Sequence, residues 1–103
     1  MLNQVILVGR LCSTPTVQET EEGKKVCNIK VAVPRPFKNG EGEYETDFID
    51  VVLWSSVAEN TAEYCRKGDL VGIKGRLQTH NKKMEVIAEK ITFLSSKKQS
   101  EDE

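Results

Sequence analysis

Residues able to act as nucleophiles, metal ligands or general bases are few in this 103-residue sequence and poorly placed for one another. His80 is the single histidine and sits beside Asn81 and Lys82, a polar setting in which an imidazole is solvated rather than catalytic. Cys12, Cys27 and Cys65 include no C-x-x-C pair. Neither a thiolate metal site nor a disulfide framework is expected from them; they read as small apolar fillers in a reducing compartment, the cytoplasm. Asp47 and Asp50 are three apart in an extended run and so project to opposite faces, while Glu41, Glu43 and Glu45 flank a turn where charge protects a sheet edge. No G-x-S-x-G, H-E-x-x-H or phosphate-cradling glycine loop occurs. Catalysis has no constellation to work with, and neither an enzyme nor a cofactor is expected.

The aromatic residues offer a different chemistry. In the run Phe48 to Trp54, Ile49, Val51 and Leu53 point one way, and Phe48, Asp50, Val52 and Trp54 point the other. A strand whose aliphatic residues already face a core gains nothing in stability from a tryptophan on its outer face. Two uses remain: packing against another subunit, or platforms on which nucleobases stack, each stack worth about 1–3 kcal/mol. Phe37 tips the balance toward stacking, because it follows Pro34-Arg35-Pro36 and precedes Lys38, a ring in a basic loop with no core to join. Phe93 has inward parity and reads as core, and Tyr64 as a half-buried packer.

Charge supplies the second half of that chemistry. Fifteen Lys and Arg against sixteen Asp and Glu leave a net −1, which excludes a polybasic binder but not a local basic face. From Arg66 to Lys90 seven basic residues oppose three acidic ones, whereas Glu41 to Asp50 carries five acidic residues and no basic one. The basic part includes Lys74 and Arg76 on the outer face of a strand and the connection His80-Asn81-Lys82-Lys83. Aromatic platforms interleaved with Lys and Arg describe a single-strand groove better than a duplex-reading surface.

The elements that must position these residues follow from periodicity. Gln4–Leu11 reads as a strand, Ser13–Lys25 as an irregular strand or hairpin at a sheet edge, and Val26–Val33 as a strand with Cys27, Ile29, Val31 and Val33 inward. Pro34-Arg35-Pro36 is expected to break that strand, and Asn39-Gly40-Glu41-Gly42 to form a turn before the strand Phe48–Trp54. Ser56 to Glu59 fits a capping box opening a helix with Val57, Ala58, Thr61, Ala62 and Cys65 on one face; Lys67-Gly68 would end it. Leu70–Leu77 is the fourth strand, with Val71, Ile73 and Leu77 inward, and Glu85–Leu94 the fifth, its parity shifting at a bulge near Glu89-Lys90. Three strands, a helix and two strands, alternating in most cases, predict an all-β fold: a five-stranded antiparallel OB-fold barrel with one helix between strands 3 and 4. Residues 1–95 form that single domain and 96–103 a short disordered polar and acidic tail. No apolar run approaches the roughly 18 residues of a membrane span, and Met1-Leu2-Asn3-Gln4 does not begin a signal peptide, so no membrane partner is expected.

Asn3-Gln4-Val5-Ile6-Leu7-Val8-Gly9-Arg10-Leu11 resembles the first strand of bacterial single-stranded DNA-binding proteins. Asp47 to Trp54, Ala58 to Gly68 and Gly75 to Thr79 are similar to further blocks of that family, in its order and spacing, to about Ser95. The closest likeness is to the short paralogues of low-GC Gram-positive bacteria. The resemblance implies a homotetramer that wraps single-stranded DNA without reading sequence, serving replication, recombination or repair. Its stacking aromatics fall on Phe37, Phe48 and Trp54, and its basic contacts on Arg10, Arg35, Lys38, Arg66, Lys67, Lys74 and Arg76, with His80, Lys82 and Lys83 on the connection between strands 4 and 5.

The sequence departs from the family in three places. The strand 4–5 connection is short and lacks an aromatic at its base, which implies fewer contacts per subunit. The chain stops at Ser100-Glu101-Asp102-Glu103, without the long linker and Pro-Phe tip, which argues against recruiting replication proteins through that tip. Asp50 would repel phosphate between Phe48 and Trp54 unless it pairs with Lys30 across the sheet. A degenerate OB-fold module that docks a replication partner through the same face is the rival reading, and an RNA-binding cold-shock-like domain a more distant one, since the aromatic clusters of that family are absent.

Overall fold

The computed structural model describes residues 1–94; the tail expected over 96–103 lies outside the described residues. Its elements are β1 (Val5–Leu11), β2 (Gln18–Glu19), β3 (Lys25–Lys38), β4 (Tyr44–Trp54), α1 (Ser55–Tyr64), β5 (Leu70–His80) and β6 (Lys83–Phe93). Hydrogen bonding runs in the order β1-β5-β6-β4-β3-β2, and β1 also pairs with β3, which closes the five long strands into a barrel. The two-residue β2 is the edge hairpin expected before β3. Pairing is antiparallel except between β4 and β6, which run parallel through Val51 opposite Val86 and Val52 opposite Ile87.

The alternating residues of each strand fill the barrel. Leu11, Cys27, Ile29, Val31, Val51, Leu53, Val71, Ile73, Val86 and Ala88 are buried together, with Ala58 and Cys65 closing one end from the helix side. Gly9 lets β1 serve two neighbours. Leaving β5 for β3 brings β1 so close to the backbone of Ala32 and the side chain of Val31 that a Cβ there would collide with both. The bulge expected in the last strand is present: Lys74 pairs with Lys90 and Gly75 with Ala88, leaving Glu89 as the extra residue.

Several local expectations are corrected. β3 does not break at Pro34-Arg35-Pro36 but continues to Lys38 through a register shift between Pro34 and Lys38. Past Ala32 its only strand partner is β4, so the missing proline N–H groups cost no ladder bond on the free edge. The capping box does not form: the helix starts at Ser55, so Ser56 already lies in its first turn, and the N-cap, Trp54, makes no side-chain cap. The helix ends at Tyr64, before Lys67-Gly68; Gly68 (φ 93°) instead sits in a turn where Asp69 Oδ2 accepts the Arg66 N–H at 2.9 Å.

Leu77 is partly exposed rather than inward, because β1 stops pairing with β5 at Gly75. The Asn3 side chain continues the ladder there, donating to the Leu77 carbonyl and accepting its N–H, both at 2.9 Å. Phe93 is partly exposed at the barrel end, where its ring meets that of Tyr64 at 5.9 Å, and Tyr64 is itself exposed. The β5–β6 connection also tightens to two residues, Asn81 and Lys82, both at positive φ.

Candidate nucleic-acid interface

The outer face of β3 and β4 is laid out by register. Ala32 lies opposite Phe48, Lys30 opposite Asp50, Asn28 opposite Val52 and Val26 opposite Trp54. Phe48 is 61% exposed and Trp54 38%, while Ile49, Val51 and Leu53 face the core, so the two aromatics stand where parity places them. Phe37, 64% exposed, follows the register shift near the end of β3. Lys30 Nζ and Asp50 Oδ1 form an ion pair at 3.0 Å, the pairing expected from their parity. A groove of about 470 Å³ opens beside them, lined by Asn28, Lys30, Asp50 and Val52 on one side and Lys83, Met84 and Glu85 from the β5–β6 hairpin on the other. Val52 and Ile87, neighbours through the parallel pairing, are buried on this side and give the sheet an apolar step.

One row crosses three strands. Phe48 on β4 lies opposite Ala32 on β3, and Ala32 lies opposite Arg10 on β1. Cross-strand partners share a face, and two strand spacings amount to about 10 Å, so only the small Ala32 position stands between those of Phe48 and Arg10 in this row. Arg10 Nη1 donates to the Gly68 carbonyl at 3.1 Å, joining it to the turn that carries Arg66 and Lys67. Lys67 is placed by its own N–H, which donates to Thr14 Oγ1 at 3.2 Å.

The remaining basic candidates divide. Arg35 donates from Nε and Nη2 to both Asp47 oxygens (2.9–3.3 Å) and from Nη1 to Glu45 at 2.8 Å. That hydrogen bonding holds the Asp47 carboxyl below its usual range and raises the Arg35 guanidinium. Asp47 and Glu45 project from β4 on the side opposite Phe48, so Arg35 is engaged away from the aromatic face. Arg76 is shared between Glu89 at 3.4 Å and Gln78 at 2.8 Å. Lys74 stands on the β1–β5–β6 side, opposite Ile6 and Lys90. His80, Lys82 and Lys83 are exposed at the hairpin tip, and Lys83 reaches the groove.

The match to known proteins decides the lineage of this surface. The family model described as "Single-strand binding protein family" matches residues 2–94. The chain belongs to that family. It is 43% identical to Single-stranded DNA-binding protein B of Bacillus subtilis, covering 94% of each chain. It is 45% identical to Single-stranded DNA-binding protein 3 of Listeria innocua, covering 94% of this chain and 66% of that one. A solved deletion mutant of the single-stranded DNA binding protein from Thermus aquaticus matches with a TM-score of 0.74 at 27% identity, covering 93% of this chain and 52% of the other. The chain thus spans nearly all of one relative, about two thirds of the second and half of the third.

In this family member two residues of the aromatic face escape the sequence reading. Parity pairs Lys30 with Asp50 but does not show that it also lines the groove. Met84 lines it too, and its signal, an apolar residue beside the basic hairpin tip, is too common to single out.

Proposed function

We propose that this chain binds single-stranded DNA without reading its sequence, as a binding protein rather than an enzyme. Bases stack on Phe37, Phe48 and Trp54. Phosphates are met by Arg10, Lys38, Arg66, Lys67, Lys74, Arg76 and the tip residues His80, Lys82 and Lys83, while Arg35 holds the β3–β4 hairpin in shape. The observation that carries this reading is the exposed pair Phe48 and Trp54 on a strand whose other face is core. Family membership supports it, since the relatives are themselves described as single-stranded DNA-binding proteins. Its role is protection of exposed strands in replication, recombination or repair, in the cytoplasm; among the described residues no helix is long and apolar enough to cross a membrane.

The working form is a homotetramer. Ile6 and Val8 are exposed on the outer face of β1, beside Gly72 of β5, an apolar stripe suited to a second copy. Sedimentation would give the tetramer mass, and Ile6→Glu would lower it.

Trp54 is the sole tryptophan, so its fluorescence reports on the groove directly. Titration with oligo(dT) should quench it strongly at low salt and less at high salt, because phosphate contacts release counterions, with no effect from duplex DNA. Absence of binding both here and in a direct assay would overturn the reading. The near-neutral net charge and Asp50 on the aromatic face favour the rival, a protein-docking face; there Phe48→Ala would leave DNA affinity unchanged and abolish partner capture.

A further inference from the structure

Tyr44 has no part in the core and none in the reading above. It opens β4 and is 62% exposed, four residues before Phe48 and therefore on the same face of the strand. At about 3.3 Å per residue the two positions lie about 13 Å apart. Only Thr46 separates them on that face, opposite Pro34, so no charged residue of either strand intervenes. Lys38 lies in register with Tyr44, its Nζ 5.7 Å from the ring centroid.

The hairpin end that carries Tyr44 and Lys38 projects past the barrel, yet it is pinned. Arg35 ties Glu45 and Asp47 on one side, and Asn39 Nδ2 donates to Glu45 Oε2 at 3.0 Å. Asn39 Oδ1 also accepts the N–H groups of Glu41 at 2.9 Å and Glu43 at 3.0 Å, which fixes the turn. The carboxylates Glu45 and Asp47 lie on the face opposite Tyr44, both bound to Arg35, which offsets one of their two charges. What remains on the Phe48 side is an exposed ring with an ammonium over one of its faces, a stacking surface for a base with a cation close by for its phosphate.

We propose that Tyr44, with Lys38, forms a fourth stacking position that extends the DNA path beyond Phe48 along the β3–β4 hairpin. The proposal rests on the DNA-binding reading and adds a nucleotide position to it. Tyr44 supplies the stacking face and Lys38 the phosphate contact. The exposed location of Tyr44 means that its replacement removes no core packing.

The test compares the unaltered chain with Tyr44→Ala, Tyr44→Phe and Phe48→Ala. The probes are oligo(dT) strands shorter and longer than the roughly 4–16 nucleotides one such fold occupies. Tyr44→Ala should weaken binding of the longer strands about five- to tenfold and leave the shortest unaffected, and Tyr44→Phe should restore it. A strand carrying 5-bromodeoxyuridine should crosslink to the Tyr44 peptide. Unchanged affinity and no such crosslink, alongside a clear loss with Phe48→Ala, would exclude the fourth position while leaving DNA binding intact. A loss of affinity that tracks a fall in sedimenting mass would make Tyr44 a subunit contact instead. If the unaltered chain binds no strand at all, the DNA-binding reading fails first.

Discussion

Lys30 Nζ lies 3.0 Å from Asp50 Oδ1, directly across the β3–β4 register and between Phe48 and Trp54 on the same face. The pair neutralises a cation in the middle of a surface proposed to meet phosphate. Both side chains are at least half exposed, so the pair adds little to folding, on the order of 0–1 kcal/mol. Its main effect is on charge available to DNA. Asp50→Asn should therefore tighten oligo(dT) binding about three- to tenfold at low salt and steepen the salt slope by about one contact, with little change in melting temperature. Titrations at several salt concentrations read both effects.

Arg10 and Arg35 should behave differently although both are exposed arginines. Arg10 shares the row Phe48–Ala32–Arg10, whereas Arg35 is committed to Asp47 and Glu45. Arg10→Ala should reduce affinity and lower the salt slope by about one. Arg35→Ala should leave the slope unchanged and loosen the hairpin, measurable as faster amide exchange over residues 35–47. Because Asp47 is held below its usual pKa, the clamp is fully present above the ordinary carboxylate range. It is lost as pH falls through the depressed value, so exchange over the hairpin should rise on acidification.

Ser55 adopts φ 55° without being glycine, and Gly75 packs its Cα hydrogens against the Ile87 backbone. Ser55→Gly removes the steric cost of the left-handed turn and should stabilise the fold by about 1 kcal/mol. Gly75→Ala forces a Cβ into backbone that cannot give way and should cost about 1–3 kcal/mol. Thermal melts should move in opposite directions for the two variants.

The three thiols should separate by reactivity. Cys12 is partly accessible, while Cys27 and Cys65 are buried. Burial pushes both buried thiols up, and Cys65, which also faces the charge of Asp69, reaches about 11. Ellman's reagent at neutral pH should modify Cys12 well before the other two, which react fully only on unfolding. Since the folded pKa of Cys65 is raised, its unfolded form ionises first. Stability should be unaffected by this group below about pH 9 and decline as pH rises from there toward 11.

Much of this was legible in the chain because strand parity is a local property. Ile49, Val51 and Leu53 had to share a face, and so did Phe48, Asp50 and Trp54, whatever the rest of the molecule did. The parity break after Ala88 likewise marked the bulge at Glu89 before any partner strand was known. The pairing of Lys30 with Asp50 needs only that the two strands be neighbours, since alternation fixes which residues can meet.

What local pattern could not decide was where each strand loses a neighbour. β3 runs through Pro34 and Pro36 because only β4 pairs with it there, and Leu77 is exposed because β1 has already stopped. The same is true of charge. Arg35 and Arg10 look equivalent as residues, but the partners brought across the sheet by folding occupy one and leave the other in a row with Phe48. Composition and alternation determine which side of a strand a residue takes. Only the closed barrel, by setting which strands stand side by side and for how long, determines whether that side meets core, a counter-charge or solvent.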